Sequence, residues 1–144
     1  MPHTDVVYGG HSARIASLES AVAGSIDCRS LAEPITPDDE FEKLVTAARE
    51  KLRANQTLDI NCKQGRHRSP TVTIVAIWKE LGTHSLQAVY DAVTAAYPAG
   101  TDHTPDTEKI LASLEVILLK WARNRVSRRA NVRQTVMAAQ ANTW

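Results

Sequence analysis

The segment that decides the fold reads Asn61-Cys62-Lys63-Gln64-Gly65-Arg66-His67-Arg68-Ser69-Pro70. It follows a short apolar strand and precedes an apolar helix, so Cys62 ends the strand and Ser69 lies where the helix begins. A tight loop in this position directs successive backbone N–H groups to one point, which the positive end of the helix also faces. Arg68 adds a planar fork of donors for two oxygens of one oxyanion. We therefore expect an oxyanion-binding loop with Cys62, as a thiolate, at its floor.

The rest of the chain alternates short apolar runs with longer helical patterns. Strands are predicted at residues 5–8, 25–28 and 58–61. Five helices are predicted: the first carries Ile15, Leu18 and Val22, the second follows Pro37, and the third runs from Pro70 to Gly82. The fourth begins at Ser85 and the fifth at Thr104-Pro105-Asp106. The order βαβαβ followed by ααα predicts an α/β fold, with a small, largely parallel sheet between helices. The cysteine loop would then lie at the carboxyl edge of a strand, where such folds bind ligands.

Length and composition predict one domain over residues 1–144. The chain has 43% hydrophobic residues but no apolar run of the roughly 18 residues that a membrane span needs, and no secretory signal is visible. Two cysteines favour a reducing compartment, and we expect a cytoplasmic protein. The histidines and cysteines show no paired ligand spacing, so neither a metal nor another cofactor is expected.

The C-terminal segment from about residue 120 to 144 is basic. Beginning with Lys120 it contains six basic residues and no acidic one, and it is predicted to be a helical extension or a tail. Such a segment favours contact with RNA, an acidic partner or an anionic membrane surface. A solvated helix end, whose cations suit the helix dipole, explains the same pattern.

The pattern Cys62-x5-Arg68-Ser69, with Gly65 in its middle, resembles the signature loop of protein tyrosine and dual-specificity phosphatases. The resemblance covers roughly residues 55–121, because the helix after Ser69, the break at Gly82 and a Pro-containing loop before the last helix also match. It implies a hydrolase in which Cys62 is the nucleophile, Arg68 binds the phosphate and stabilises the transition state, and Ser69 assists the sulfur as leaving group.

The same resemblance implies that the loop backbone completes the phosphate site. The implied phosphate-binding residues are Lys63, Gln64, Gly65, Arg66, His67 and Arg68. Besides Arg68, three of them are basic, namely Lys63, Arg66 and His67, as in tensin-type lipid phosphatases. The substrate would be a phosphorylated protein, a phosphoinositide or another phosphomonoester, with polyanionic substrates favoured. The alternative is that these side chains only raise the local electrostatic potential and do not select the substrate.

Two positions depart from the phosphatase pattern. Asn61 stands where that family usually has His before the nucleophile. The general acid, which the family places some thirty-odd residues before the cysteine, is either Asp27, 35 residues before Cys62, or Asp38, 24 residues before it. Asp27 is preferred on spacing, whereas Asp38 fits better the mobile loop that a proton donor needs.

A second resemblance implies a different class of protein. Ile26-Asp27-Cys28-Arg29-x-Leu31, followed by Gly65-x-His67-Arg68-Ser69, looks like the C-terminal domain of RapZ-type RNase adaptors. That domain senses phosphosugars and associates with RNA without being a phosphatase. Asp27 and Arg29 would then be ligand-site residues, and the basic tail would contact RNA.

Cys28 ends the strand that is predicted to neighbour the Cys62 strand. A reversible disulfide between the two sulfurs would switch the site off, whereas the alternative is an inert buried thiol.

Overall fold

The computed structural model describes residues 3–123, which form an α/β fold with one four-stranded sheet and four helices. The elements are β1 (His3–Tyr8), β2 (His11–Ala16), β3 (Ile26–Asp27), α1 (Asp39–Arg53), β4 (Leu58–Asn61), α2 (Arg68–Leu81), α3 (Leu86–Ala95) and α4, which runs from residue 107 to 123. A single 3₁₀ turn, Leu18–Ser20, follows β2. The predicted strand at residues 58–61 is confirmed to the residue, and it delivers Cys62 to the following loop.

The first two strands form a hairpin that the sequence analysis missed. Gly9 and Gly10 both have positive φ, +59° and +81°, and they join β1 to β2 with Tyr8 paired opposite His11. Two glycines between short runs are the usual signal for such a turn. The helix predicted through Ile15, Leu18 and Val22 is therefore wrong. Ile15 lies buried in β2, whereas the other two side chains are more than 40% exposed.

The sheet is mixed rather than uniformly parallel. Its strand order is β1-β2-β4-β3, in which β2 and β3 each run parallel to β4 and the hairpin supplies the antiparallel edge. The predicted order βαβαβ is also wrong, since three strands precede the first α-helix. The carboxyl ends of β2, β3 and β4 meet at one edge of the sheet, and this edge holds the cysteine loop.

The helices gather on one face of the sheet. The buried sheet residues Val6, Ala13, Ile15, Leu58 and Ile60 alternate with residues that are exposed or half-buried, namely Asp5, Val7, Arg14 and Asp59. Helix α2 packs on both α1 and α3, and Trp121 of α4 stacks on Trp78 of α2 with 6.2 Å between ring centroids. The described residues therefore form two layers, and the expected sheet between helices is not observed.

The ends of the helices follow the predicted signals. Asp38 caps α1 by accepting a hydrogen bond from the Phe41 N–H at 3.0 Å, and the apolar stripe Phe41, Val45, Ala48 and Leu52 is buried. Gly82 ends α2 with a φ of +71°, a conformation that favours glycine because it has no Cβ. Asp106 accepts from the Lys109 N–H at the start of α4, so the predicted start of this helix is confirmed.

Only the beginning of the basic segment lies within the described residues. Lys120 donates to the Pro37 carbonyl at 3.3 Å, which ties the end of α4 to the start of α1. The predicted tail beyond residue 123 lies outside the described range, so its contacts stay a prediction. Across residues 3–123, no helix has the length and apolar character needed to cross a membrane.

Candidate anion and thiolate site

Cys62 lies at the carboxyl end of β4, at the floor of a pocket. Its side chain is 3% exposed, and its sulfur lies 3.2 Å from the Ser69 hydroxyl at the start of α2. Burial acts to raise the pKa of the Cys62 thiol, but hydrogen bonds from the Ser69 hydroxyl and from the N–H groups of Ser69, His67 and Gly65 outweigh burial. The pKa of Cys62 is therefore lower than that of an ordinary thiol, as the sequence predicted.

Two carbonyls of the loop are held from outside by backbone N–H groups. Leu18 N–H donates to the Lys63 carbonyl at 3.1 Å, and Asp106 N–H donates to the Arg66 carbonyl at 2.9 Å. In a planar trans peptide, the C=O and the next residue's N–H point in opposite directions. Fixing these carbonyls outward therefore directs the following N–H groups toward the pocket.

Two side chains lie against the residues between them. The Tyr97 hydroxyl donates to the Gly65 carbonyl at 2.6 Å, and burial, the main cause, lowers the pKa of the His103 imidazole, although the nearby Gln64 backbone acts to raise it. Gly65 has a φ of +70°, and a Cβ at this position would lie 2.8 Å from the Ala16 backbone and 3.0 Å from the His103 ring. The predicted central glycine is thus required by both its conformation and the lack of space.

The pocket above the sulfur has a volume of about 500 Å³ and a polar, largely basic lining. The lining residues are Leu31, Glu33, Cys62, Lys63, Gln64, Arg66, His67, Arg68, Asp106 and Lys109. Five of the six loop residues that the resemblance implied as phosphate ligands are among them, and Gly65 contributes its N–H from below. The cluster of cations and N–H donors over a lowered-pKa thiol suits an anion that presents several oxygens.

Arg68 bridges the loop to the segment that follows β3. Its Nη1 donates to the Arg29 carbonyl at 2.8 Å and to the Leu31 carbonyl at 3.4 Å, and its Nε lies 3.9 Å from a Glu33 oxygen. The guanidinium is only 17% exposed. Arg68 therefore lines the pocket while also bonding this neighbouring segment to the loop.

Glu33 interacts with the basic residues of the pocket and was missed in the sequence. One carboxylate oxygen lies 3.3 Å from His67 Nδ1 and 3.9 Å from Arg68, and the other lies 3.6 Å from Lys109 Nζ. The His67 hydrogen bond, together with Lys109 and Arg68, holds the pKa of Glu33 below its usual value against the effect of burial. Glu33 lies between Asp27 and Asp38 in the chain. A search for the general acid that considered glutamate as well as aspartate in this part of the chain would have found it.

Asp27 and Asp38, the two predicted acids, lie outside this pocket lining. Asp27 accepts three side-chain hydrogen bonds from Arg29, between 2.7 and 3.0 Å, and the pKa of Asp27 is lowered chiefly by this pairing. The Asn61 amide lies 3.5 Å from the same carboxylate, and its oxygen accepts from Ser25 at 2.8 Å. Asn61 therefore joins β4 to the region of β3. Asp38 serves as the α1 cap.

The three basic residues between Cys62 and Arg68 have different environments. His67 is 6% exposed, and burial lowers the pKa of its ring, whose Nε2 lies 2.8 Å from the Ser113 hydroxyl. Arg66 donates to the Thr104 carbonyl at 2.8 Å while still lining the pocket. Lys63 also lines it. The extra charge that the sequence suggested thus comes from Arg66 and Lys63, while His67 is a buried link to α4.

Cys28 directly follows β3, which covers only Ile26–Asp27 of the strand predicted at 25–28, and it lies beside the end of the strand that leads to Cys62. The parallel register pairs Asp27 with Asn61, and the Cys28 N–H donates to the Asn61 carbonyl at 2.7 Å. Both thiols are free and buried, and burial is the main reason that the pKa of Cys28 is raised. Cys62 is thus the thiol that peroxide would oxidise first, and a disulfide with Cys28 stays a prediction.

Mild hydrogen peroxide tests this redox prediction. Peroxide converts the Cys62 thiolate to a sulfenic acid, and attack by the Cys28 thiol then releases water and forms the disulfide. We expect wild type to lose both thiols and to regain them with reductant, whereas Cys28→Ser proceeds to irreversible oxidation of Cys62. Equal irreversible oxidation of the two proteins would contradict a Cys28–Cys62 switch.

Ser69→Ala tests the cause of the lowered Cys62 pKa. Removing the hydroxyl leaves the backbone donors in place, so the pKa should rise by about one unit, and less thiolate should be present at neutral pH. The measurement is the rate of alkylation by iodoacetamide as a function of pH. Ser85→Ala is the matched control, because Ser85 caps α3 by accepting from the Ala88 N–H. It should cost about 1 kcal/mol of stability and leave the alkylation profile unchanged.

Comparisons with known proteins give this chain no family. A scan against protein-family models finds no match, and a search of the curated proteins finds none either. The geometry of the pocket is therefore the basis for the function of this chain. That geometry consists of a buried, ionisable sulfur, inward N–H groups of the loop and a basic rim.

Proposed function

We propose that this protein is a cysteine-dependent hydrolase of phosphomonoesters that acts through a phosphocysteine intermediate, as expected of a phosphatase-like protein. The observation that carries the proposal is the convergence of loop N–H groups on Cys62 beneath a pocket lined by Arg68, Lys63 and Arg66. A phosphate dianion seated there would be bound by fixed dipoles and cations, with a thiolate below its phosphorus atom.

In the first step the Cys62 sulfur attacks phosphorus, so an S–P bond forms while the bond to the leaving oxygen breaks. Negative charge spreads over the three non-bridging phosphate oxygens, which the loop N–H groups and the Arg68 guanidinium stabilise. Because these donors are held before substrate arrives, little reorganisation is needed. A carboxylic acid protonates the leaving oxygen.

In the second step a water molecule attacks the phosphocysteine, and inorganic phosphate leaves. The S–P bonding pair returns to Cys62, and the Ser69 hydroxyl, 3.2 Å from the sulfur, stabilises the thiolate that forms. The carboxylate left by the first step accepts the proton of the attacking water. The catalytic residues of the proposal are thus Cys62, Arg68, Ser69 and one carboxyl group.

We assign that carboxyl group to Glu33. It lines the pocket with Asp106, whereas Asp27 is paired with Arg29 and Asp38 caps a helix. The hydrogen bond with His67, together with Lys109 and Arg68, lowers the pKa of Glu33 in the empty pocket. A phosphate dianion bound beside Glu33 would place a like charge next to the carboxylate and raise its pKa. The bound substrate would in this way convert Glu33 into a proton donor.

A second candidate function is binding without turnover, as in the phosphosugar-sensing module. The observation that favours it is the Asp27–Arg29 pair, which keeps the predicted acid ionised and away from the pocket lining. In this version the same loop binds phosphate or a phosphosugar, and Cys62 is not a nucleophile. Contact of the basic tail with RNA, an acidic partner or a membrane would belong to either version.

Phosphate release from an aryl phosphate, in reductant and without added metal, tests the proposed function. Wild type should turn over, and Cys62→Ser should lose on the order of 10³-fold or more, because the nucleophile is absent. Cys28→Ser is the matched control and should retain activity. If wild type releases no phosphate while inorganic phosphate or a phosphosugar still raises its Tm, the binding module replaces the hydrolase.

Leaving-group dependence tests the assignment of the acid. Glu33→Gln should lower kcat/KM, which reports formation of the phosphocysteine, by about 10²-fold or more on an alkyl phosphate. It should change kcat/KM for nitrophenyl phosphate little, because nitrophenolate leaves without a proton. Asp27→Asn and Asp106→Asn should not show this difference between substrates. If one of them shows it and Glu33→Gln does not, the proton donor is that residue instead.

A further inference from the structure

Tyr97 lies directly after α3 and takes no part in the proposed chemical steps. Its side chain is 7% exposed, and its hydroxyl donates to the Gly65 carbonyl at 2.6 Å. Its ring packs against the His103 ring, with 5.1 Å between centroids. Burial raises the pKa of Tyr97, so the hydroxyl stays protonated and remains a donor well above neutral pH.

This hydrogen bond fixes the orientation of one peptide unit in the anion-binding loop. The Gly65 carbonyl points to Tyr97, and the Arg66 N–H of the same planar unit therefore points the opposite way. The neighbouring Gly65 N–H is one of the groups that bond the Cys62 sulfur. A rotation of the Gly65–Arg66 peptide would turn a carbonyl oxygen toward the thiolate and the bound anion, where it would repel both.

The packing of Ala16 against Gly65 does not by itself prevent such a rotation. Ala16 lies so close to Gly65 that a Cβ would come within 2.8 Å of its backbone, which blocks sideways movement of the loop. It supplies no hydrogen bond to the Gly65 carbonyl, however. Glycine also has more freedom at this φ than any other residue, so the loop needs an external constraint at this position.

We propose that Tyr97 is a positioning residue that holds the Gly65–Arg66 peptide with its N–H toward the pocket and so maintains both the reactivity of Cys62 and the affinity for phosphate. Tyr97 acts from behind the loop and does not touch the bound anion. The inference goes beyond the proposed function, since it holds equally for a hydrolase and for a phosphate-binding module.

Tyr97→Phe tests the proposal, because it removes the hydroxyl and keeps the ring. We expect the midpoint of the iodoacetamide pH–rate profile of Cys62 to move up by about half to one pH unit. The Kd for inorganic phosphate, measured by calorimetry, should weaken by about 3- to 10-fold. Neither readout requires turnover, so failure of the proposed hydrolase would leave this test intact.

Tyr90→Phe is the matched control. Tyr90 lies on α3, and no side-chain hydrogen bond contributes to its pKa. This variant should keep the wild-type alkylation profile and phosphate Kd. If Tyr97→Phe lowers Tm but also keeps both, the hydroxyl has only a structural role and the proposal is overturned.

A second variant covers the case in which Tyr97→Phe does not fold. His103→Gln removes the ring that packs on Tyr97, leaves the Tyr97 hydroxyl in place and keeps a side-chain amide that can face the Gln64 backbone as the imidazole does. With that packing lost, the hydroxyl should hold Gly65 less firmly, and the alkylation midpoint should move up by a smaller amount in the same direction. An unchanged midpoint and phosphate Kd in folded His103→Gln would count against the proposal.

Discussion

The site depends on one constraint, which is that carbonyls of its loop are held away from the pocket. The carbonyls of Lys63, Gly65 and Arg66 are bonded from three different parts of the chain: the turn after β2, Tyr97 beyond the end of α3, and the start of α4. Peptide planarity converts these outward bonds into inward N–H groups. A buried carbonyl without a partner costs about 1–3 kcal/mol, so the loop conformation is stabilised by the packing of the whole domain.

The second feature of the site is that its basic side chains already interact with a carboxylate. Glu33 lies near His67, Arg68 and Lys109, and Arg68 also bonds to the carbonyls of Arg29 and Leu31. An incoming anion would therefore compete with an internal carboxylate for the basic side chains, while the N–H groups of Gly65, His67 and Ser69 already face the Cys62 sulfur. The backbone thus provides a fixed part of the site, and the side chains provide a part that responds to the ligand.

The fold errors of the sequence analysis have one physical origin. Ile15, Leu18 and Val22 recur at helical spacing, but Gly9-Gly10 forms a hairpin turn, and pairing with β1 satisfies the backbone of β2 in the same stretch. Apolar spacing in a short run does not distinguish the two outcomes, because strand pairing depends on a partner elsewhere in the chain. The placement of the helices on a single face of the sheet was missed for the same reason, because it too depends on contacts between distant parts of the chain.

The sequence by itself determined the strand–loop–helix unit around Cys62, because its apolar runs, Gly65 and Ser69 act over neighbouring positions. It also identified the pocket-lining loop residues and the lowered pKa of Cys62. Only the tertiary structure decided which carboxylates reach the pocket. It brought Glu33 and Asp106 to the rim and left Asp27 paired with Arg29. The roles of Tyr97 and His103 also depend on contacts more than thirty residues apart in the chain, which no local pattern encodes.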